Sequence, residues 1–196
     1  QGTGITSLVG LSGCGKSTIA ALLTGRNKGY EGSITIGGAE LSRVSEESLL
    51  SHVTLVSHNS YLFKGTVEEN LRMAAPKASR QSLEDALKEV NLYEFLMEHE
   101  GLETRLTERG SNLSGGQCQR LALARAILHD TPVYIFDEAT SNIDAESEEH
   151  IMKAIRKLAQ THSVCLISHR LANVGDSGQI YVLQSGKIAD MGPTRN

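Results

Sequence analysis

The sequence has no tryptophan, 4% aromatic residues and only three cysteines in 196 residues. Cys14, Cys118 and Cys165 are scattered and odd in number. They exclude a disulfide framework and the paired spacing of a structural metal site, and they suit a reducing, cytosolic setting. No apolar run approaches the roughly 18–20 residues that a membrane-spanning helix needs. No secretory signal is legible, and the chain does not begin with methionine, so it is expected to be a piece of something longer. Basic residues are not in excess: 19 Lys and Arg stand against 23 Asp and Glu, a net charge of −4. That removes any general electrostatic reason to bind nucleic acid or an anionic membrane surface. Internal repeats and low-complexity segments are also missing.

What is there fits one globular domain with a core of its own: 39% of residues are hydrophobic and 21% charged, over a length that supports burial. "ITSLVG" is a short apolar run ending in glycine and reads as a buried strand. "GKSTIAALLTG" reads as a helix stopped by Gly25. "GSITIGG" alternates as a strand and ends in a turn. "SEESLLS" reads as a short helix capped by Ser45, and "HVTLVS" as another buried strand. From Thr66 to about Glu100 the pattern is helical. A longer helix is expected over 114–128, a fully apolar strand in "PVYIF", and an amphipathic helix over 145–159. "SVCLIS" reads as a strand and "QIYVLQSGKIADMG" as a hairpin. Strands alternating with helices predict an α/β fold with a mainly parallel sheet. Residues 66–113 read as a helical insert between 1–65 and 114–196.

Residues 10–17, "GLSGCGKS", satisfy G-x-x-x-x-G-K-[ST], after a strand and at the start of a helix, which is the context the pattern requires. Gly10, Leu11, Ser12, Gly13, Cys14, Gly15, Lys16, Ser17 and Thr18 are therefore candidate nucleotide-binding residues. The glycines let backbone wrap closely around phosphates, and successive N–H groups with the helix N-terminus face the anion. Lys16 supplies a positive charge to the β- and γ-phosphates, and the Ser17 hydroxyl is a candidate Mg²⁺ ligand. "VYIFDE" adds two carboxylates at a strand's end. Asp137 is placed for Mg²⁺, and Glu138 for polarising an attacking water as general base. The bland alternative is an acidic pair capping a strand.

A second glycine-rich stretch, Leu113, Ser114, Gly115, Gly116 and Gln117, opens the helix over 114–128. Ser114 suits an N-cap, and the two glycines leave N–H groups open to an anion. The alternative is a plain helix start with glycines for close packing, since two glycines in a first turn cost stability. One nucleotide cannot easily use two such loops in one small domain. Two copies facing head to tail, each loop completing the other's site, solve that problem.

These segments together resemble the nucleotide-binding domain of an ABC transporter over nearly the whole chain. "GLSGCGKST" resembles the family's Walker A loop, "LSGGQ" is its signature motif letter for letter, and "VYIFDE" resembles Walker B. "SNID" resembles the D-loop, with Asp144, and "ISHR" puts His169 at the switch-histidine position. The resemblance implies a P-loop NTPase core with a helical subdomain, ATP and Mg²⁺ as ligands, and a dimer in which Walker A of one copy faces the signature of the other. It implies that Lys16, Glu138 and His169 are catalytic, with His169 on the γ-phosphate and Asp144 acting across the dimer interface. Alone, a histidine after a strand such as His169 is more often structural than catalytic, and Asp144 reads also as a helix N-cap.

"TERGSNLSGGQ" resembles the "GERG"-type segment that exporter-class domains carry before the signature, with Glu108 facing the membrane domain and Thr107 where glycine is common. "YLFKGTVEENL" likewise resembles the exporter pattern. Both imply an exporter half on the cytoplasmic side of the membrane, partnered by a second such domain, identical or different, and by a transmembrane domain fused upstream. Nucleic acid is not an expected partner. The alternatives are a soluble family ATPase acting on ribosomes or DNA, or a degenerate regulatory half. The DNA-acting members carry coiled-coil or zinc interruptions that this chain lacks.

Two departures stand out. His58 occupies the position of the Q-loop glutamine, which offers Mg²⁺ a neutral oxygen. An imidazole is softer and titratable near neutral pH. It either weakens the metal contact or is tolerated with water filling the gap; toleration is expected because Lys16, Ser17, Asp137, Glu138 and His169 are intact. The family's first antiparallel strands, with an adenine-stacking aromatic, and its last helices are not in this sequence. Tyr30 does not replace that aromatic, since it follows the P-loop helix. Cys14 within the P-loop reads as a small filler whose alkylation obstructs phosphate binding.

Overall fold

The computed structural model describes residues 2–194; Gln1, Arg195 and Asn196, at the chain's ends, lie outside the described residues. The chain divides into two compact units. One holds the chain up to Leu55, Thr131–Glu138 and everything from Ala159 on; the other holds Val56–Asp130 and Ala139–Leu158.

In the first unit, β1 (Gly4–Val9) leads into α1 (Lys16–Leu23). A two-residue pair follows, β2 (Thr35–Ile36) and β3 (Ala39–Glu40). Its turn, Gly37 and Gly38, has positive φ at both positions, as a tight hairpin demands. The strand expected in "GSITIGG" is thus real but short. Ser45 caps α2 (Glu46–His52), its hydroxyl accepting from Ser48 N at 3.2 Å. β4 (Val53–Ser57) comes next.

The second unit begins after Leu55. β5 (Gly65–Thr66) leads into α3 (Val67–Arg72), where Thr66 and Glu69 form a reciprocal capping box. Then come α4 (Arg80–Glu89), α5 (Tyr93–Met97) and β6 (Arg105–Leu106), which pairs antiparallel with β5. The long helix α6 (Gly115–His129) packs on α3 and α4. Leu62, Leu71, Leu83, Leu87, Leu96 and Leu121 are all buried here.

The chain returns to the first unit with β7 (Val133–Asp137), whose Tyr134, Ile135 and Phe136 are essentially inaccessible. α7 (Ala145–Leu158) belongs to the second unit and packs on α6. β8 (Ser163–Ser168), β9 (Gln179–Gln184) and β10 (Lys187–Gly192) complete the first unit. The six-stranded sheet runs β10-β9-β1-β8-β7-β4. β9, β1, β8 and β7 are mutually parallel, and β10 is antiparallel to β9 through the expected hairpin. Continuous apolar runs such as "PVYIF" are what a parallel strand covered on both faces requires. Leu8, Ala20, Leu49, Val53, Ile135 and Ile167 form the core around it.

Candidate functional site

Three parallel neighbours in the sheet, β1, β8 and β7, end level with one another: Val9 pairs with Ser168, and Asp137 with Ile167. Their carboxyl ends release the 10–17 loop, His169 and the Asp137–Glu138 pair along a single sheet edge. This is where open α/β sheets place ligands.

The 10–17 loop is shaped by glycines acting in different ways. Gly15 has φ 109 at the N-cap of α1, a conformation that L side chains avoid. A Cβ on Gly10 would lie 2.4 Å from the Leu183 carbonyl oxygen, so only glycine lets the loop pass β9. With no side chain at the N-cap, the first N–H groups of α1 face out of the helix end. Lys16 is 6% exposed. Its Nζ donates to the carbonyls of Gly10 at 2.6 Å and Leu11 at 2.9 Å and lies 3.8 Å from Cys14 Sγ. The loop thus holds its positive charge centrally. Ser12, Gly13, Ser17 and Thr18 are exposed around it, while Cys14 is buried as a filler should be.

Across the edge, Glu138 adopts φ 54 while its N–H donates to Ile167 O at 3.0 Å. A left-handed non-glycine residue costs on the order of 1–2 kcal/mol; here it turns the carboxylate out of the strand direction toward His169. His169 Nδ1 and Glu138 Oε2 lie 2.5 Å apart. The buried Ser168 hydroxyl accepts from Arg170 N at 3.0 Å, closing a tight loop around His169. Asp137 precedes them at the end of β7, where its Oδ1 is buried and accepts no hydrogen bond from the described residues, although the side chain makes other contacts. Together the edge offers a fixed cation, a carboxylate–imidazole pair and two oxygen donors, Ser17 and Asp137. That donor set is oxygen-only, the type Mg²⁺ prefers.

The second compact unit carries the other motif. Ser114 caps α6 in a reciprocal box: its hydroxyl accepts from Gln117 N at 3.1 Å, and Gln117 Oε1 accepts from Ser114 N at 2.9 Å. Ser114 and Gly115 are exposed, Leu113 and Gln117 half-buried, and Gly116 buried. A Cβ on Gly116 would lie 2.1 Å from Ser147 Oγ and 2.8 Å from Asp144 Oδ2. Close packing thus explains this second glycine. Asp144 caps α7, accepting from Ser147 N at 2.8 Å. That hydrogen bond, with the Ser147 side chain adding, lowers its pKa below the usual carboxylate value.

His58 sits exposed in the turn after β4, in the second unit. Thr107 turns out to be built in: its hydroxyl pairs with Ser111 Oγ at 2.7 Å, donates to Asn112 Oδ1 at 3.0 Å and accepts from Asn112 N at 3.2 Å. Beside it Glu108 Oε1 accepts from the Tyr61 hydroxyl at 3.4 Å. Sequence reasoning missed Gln119, a buried polar side chain whose Nε2 donates to Ser57 O at 2.9 Å, and the direct Glu138–His169 contact. The capping box was detectable, since S-x-x-Q is its signature.

The family profile described as ABC transporter matches residues 2–141. An uncharacterized ABC transporter ATP-binding protein of Haemophilus influenzae is 48% identical over 188 residues, 96% of this chain and 34% of that protein. The ATP-dependent lipid A-core flippase of Francisella tularensis is 38% identical, covering 95% of this chain and 31% of its own length. A putative multidrug export ATP-binding/permease protein of Bacillus subtilis is also 38% identical, over 95% of this chain and 32% of its own. A solved structure of a bacterial Atm1-family ABC exporter with ATP bound superposes with a TM-score of 0.92 at 36% identity, covering 98% of this chain and 34% of that one. The chain therefore spans about a third of the length of the relatives it matches. With its mainly parallel P-loop architecture and its glycine loop, carboxylate pair and signature segment in order, the chain belongs to the ABC transporter family, as an ATP-binding domain homologous to those of exporters.

Proposed function

We infer that this domain binds ATP at residues 10–18 and hydrolyses it in a head-to-tail dimer, powering export through a transmembrane domain of the longer protein. The observation that carries the reading is the 2.5 Å contact between Glu138 and His169 on the sheet edge that also releases the Lys16 loop. Lys16 holds the β- and γ-phosphates. Glu138 takes the proton of the water that attacks the γ-phosphorus, and ADP leaves from the opposite side. His169 steadies that carboxylate and meets the γ-phosphate. Ser17 and Asp137 would hold Mg²⁺, which would supply charge neutralisation on the phosphates. Leu113, Ser114, Gly115, Gly116 and Gln117 serve the partner's nucleotide, and Asp144 acts at the dimer interface. His58 takes the Q-loop position and is tolerated there. In this reading residues 1–65 and 114–196 supply the ATPase core and 66–113 the helical subdomain. Similarity to proteins named for lipid A-core flipping and multidrug export supports an export role with the ATPase on the cytoplasmic face.

The test is Mg²⁺-dependent ATP hydrolysis measured against protein concentration, with Glu138→Gln as control. Specific activity that rises with concentration and vanishes in the control is the expected result. Turnover independent of concentration, or surviving in Glu138→Gln, would overturn the dimeric, Glu138-based mechanism.

A further inference from the structure

We propose that Gln119 and Arg125, on the helix that carries the signature segment, are positioning residues that clamp the backbone of residues 57–61 and make the His58 turn follow that helix. Gln119 is 6% exposed, and its Nε2 donates to Ser57 O at 2.9 Å. Arg125, six residues on and about 9 Å further along the helix axis, donates from Nη2 to Tyr61 O at 2.7 Å. The two gripped carbonyls bracket His58. Ser57 O also accepts from Ser60 N at 3.2 Å and Ser60 Oγ at 2.8 Å, so the turn closes on the same oxygen that Gln119 holds.

The neighbouring chain is tied just as closely. Leu62 O accepts from Arg109 N at 3.1 Å, and the Asn70 side chain accepts from Phe63 N and donates to Phe63 O. A buried amide and a desolvated guanidinium are costly unless satisfied. Both are spent here on loop carbonyls rather than on their own helix. A charged donor on a carbonyl makes the stronger of the two bonds. Because Gln119 lies two residues beyond Gln117, a shift of the helix start moves the clamp with it.

The role assigned to the signature segment rests on the proposed function; the clamp itself does not, and the experiment separates them. Amide hydrogen exchange would be read by NMR at Ser60 and Phe63, with the Glu138 amide as reference, in the unsubstituted chain, Gln119→Met, Arg125→Met and Arg125→Lys. Exchange at Ser60 is expected to accelerate about ten-fold in either Met variant, with the reference unchanged and Arg125→Lys intermediate. Unchanged exchange at Ser60, or acceleration spread evenly to the Glu138 amide, would overturn the clamp. Should a Met variant fail to fold, Arg125→Lys decides, because its ammonium keeps the charge and N–H donors but loses the planar fork: acceleration confined to Ser60 supports the clamp, and none, or acceleration shared by the Glu138 amide, overturns it. The same amides are then followed at saturating ATP in the Glu138→Gln background. Protection that rises there, and not when Gln119→Met is added, supports transmission from the signature. A rise that survives the added Gln119→Met overturns that transmission. With ATP binding read independently by equilibrium titration, no rise in the background overturns the transmission while leaving the clamp intact, and absence of ATP binding refutes the nucleotide reading alone.

Discussion

Glu138 and His169, 31 residues apart, meet at 2.5 Å because β7 and β8 are parallel neighbours that end in register. The contact joins the candidate base to the residue proposed to orient it. Glu138→Gln is expected to abolish turnover while leaving ATP affinity within a few-fold of the parent. His169→Ala should lower kcat by about 10²-fold or more, within the range for losing an acid–base group. Steady-state kinetics beside equilibrium nucleotide binding checks both. Equal losses in binding and turnover would count against the assigned roles.

Gly116 faces Ser147 so closely that an added methyl overlaps its Cβ at 2.5 Å as well as its hydroxyl. Gly116→Ala should therefore destabilise the second unit by about 2 kcal/mol, lowering Tm by about 4–8 °C in a chain of this size. Adding Ser147→Gly should recover part of the loss, after allowing for the cost of a glycine within α7. Thermal unfolding of the parent, both single variants and the double variant tests this, and a double variant that loses the sum of the two single losses would rule out the Ser147 clash as the cause.

Asp144 has its pKa lowered by the hydrogen bond from Ser147 N. The folded value lies below the unfolded one of about 3.9, so its contribution is fully present above that pH and is lost as pH falls through the folded value. Asp144→Asn keeps the cap but removes the charge. Its stability should track the parent's near neutrality, and the difference between them should change only below about pH 4. Denaturant melts between pH 3 and 7 provide the comparison.

Cys165 lies within β8, where burial first and the Asp137 carboxylate second push its thiol up to about 11. At pH 8 its thiolate fraction is then about 0.1%, against roughly a quarter for a free cysteine. Its modification by a disulfide reagent should run on the order of 100-fold slower in the folded chain than in denaturant. The raised value also means that its contribution to stability, full below about pH 8.5, declines as pH rises toward about 11. Cys165→Ala should flatten that decline.

The sequence by itself determined most of the elements and proposed the candidate site residues. The G-x-x-x-x-G-K-S spacing, the apolar run before Asp137 and Glu138, and the glycine pair after Ser114 are local patterns, and local patterns specify strands, turns and caps. The alternation of strands and helices was enough for a parallel sheet. Tertiary structure alone decided what lies between distant segments. The strand order sets the ends of β1, β8 and β7 side by side, which brings His169 onto Glu138. Packing of α6 on α7 explains why Gly116 must be glycine. Gln119 and Arg125, one Q and one R in an ordinary-looking helix, hold a loop some 60 residues earlier in the chain. Nothing in a one-dimensional pattern distinguishes such residues from solvent-facing ones, because their role arises from which backbone carbonyls the fold leaves within reach of a buried donor.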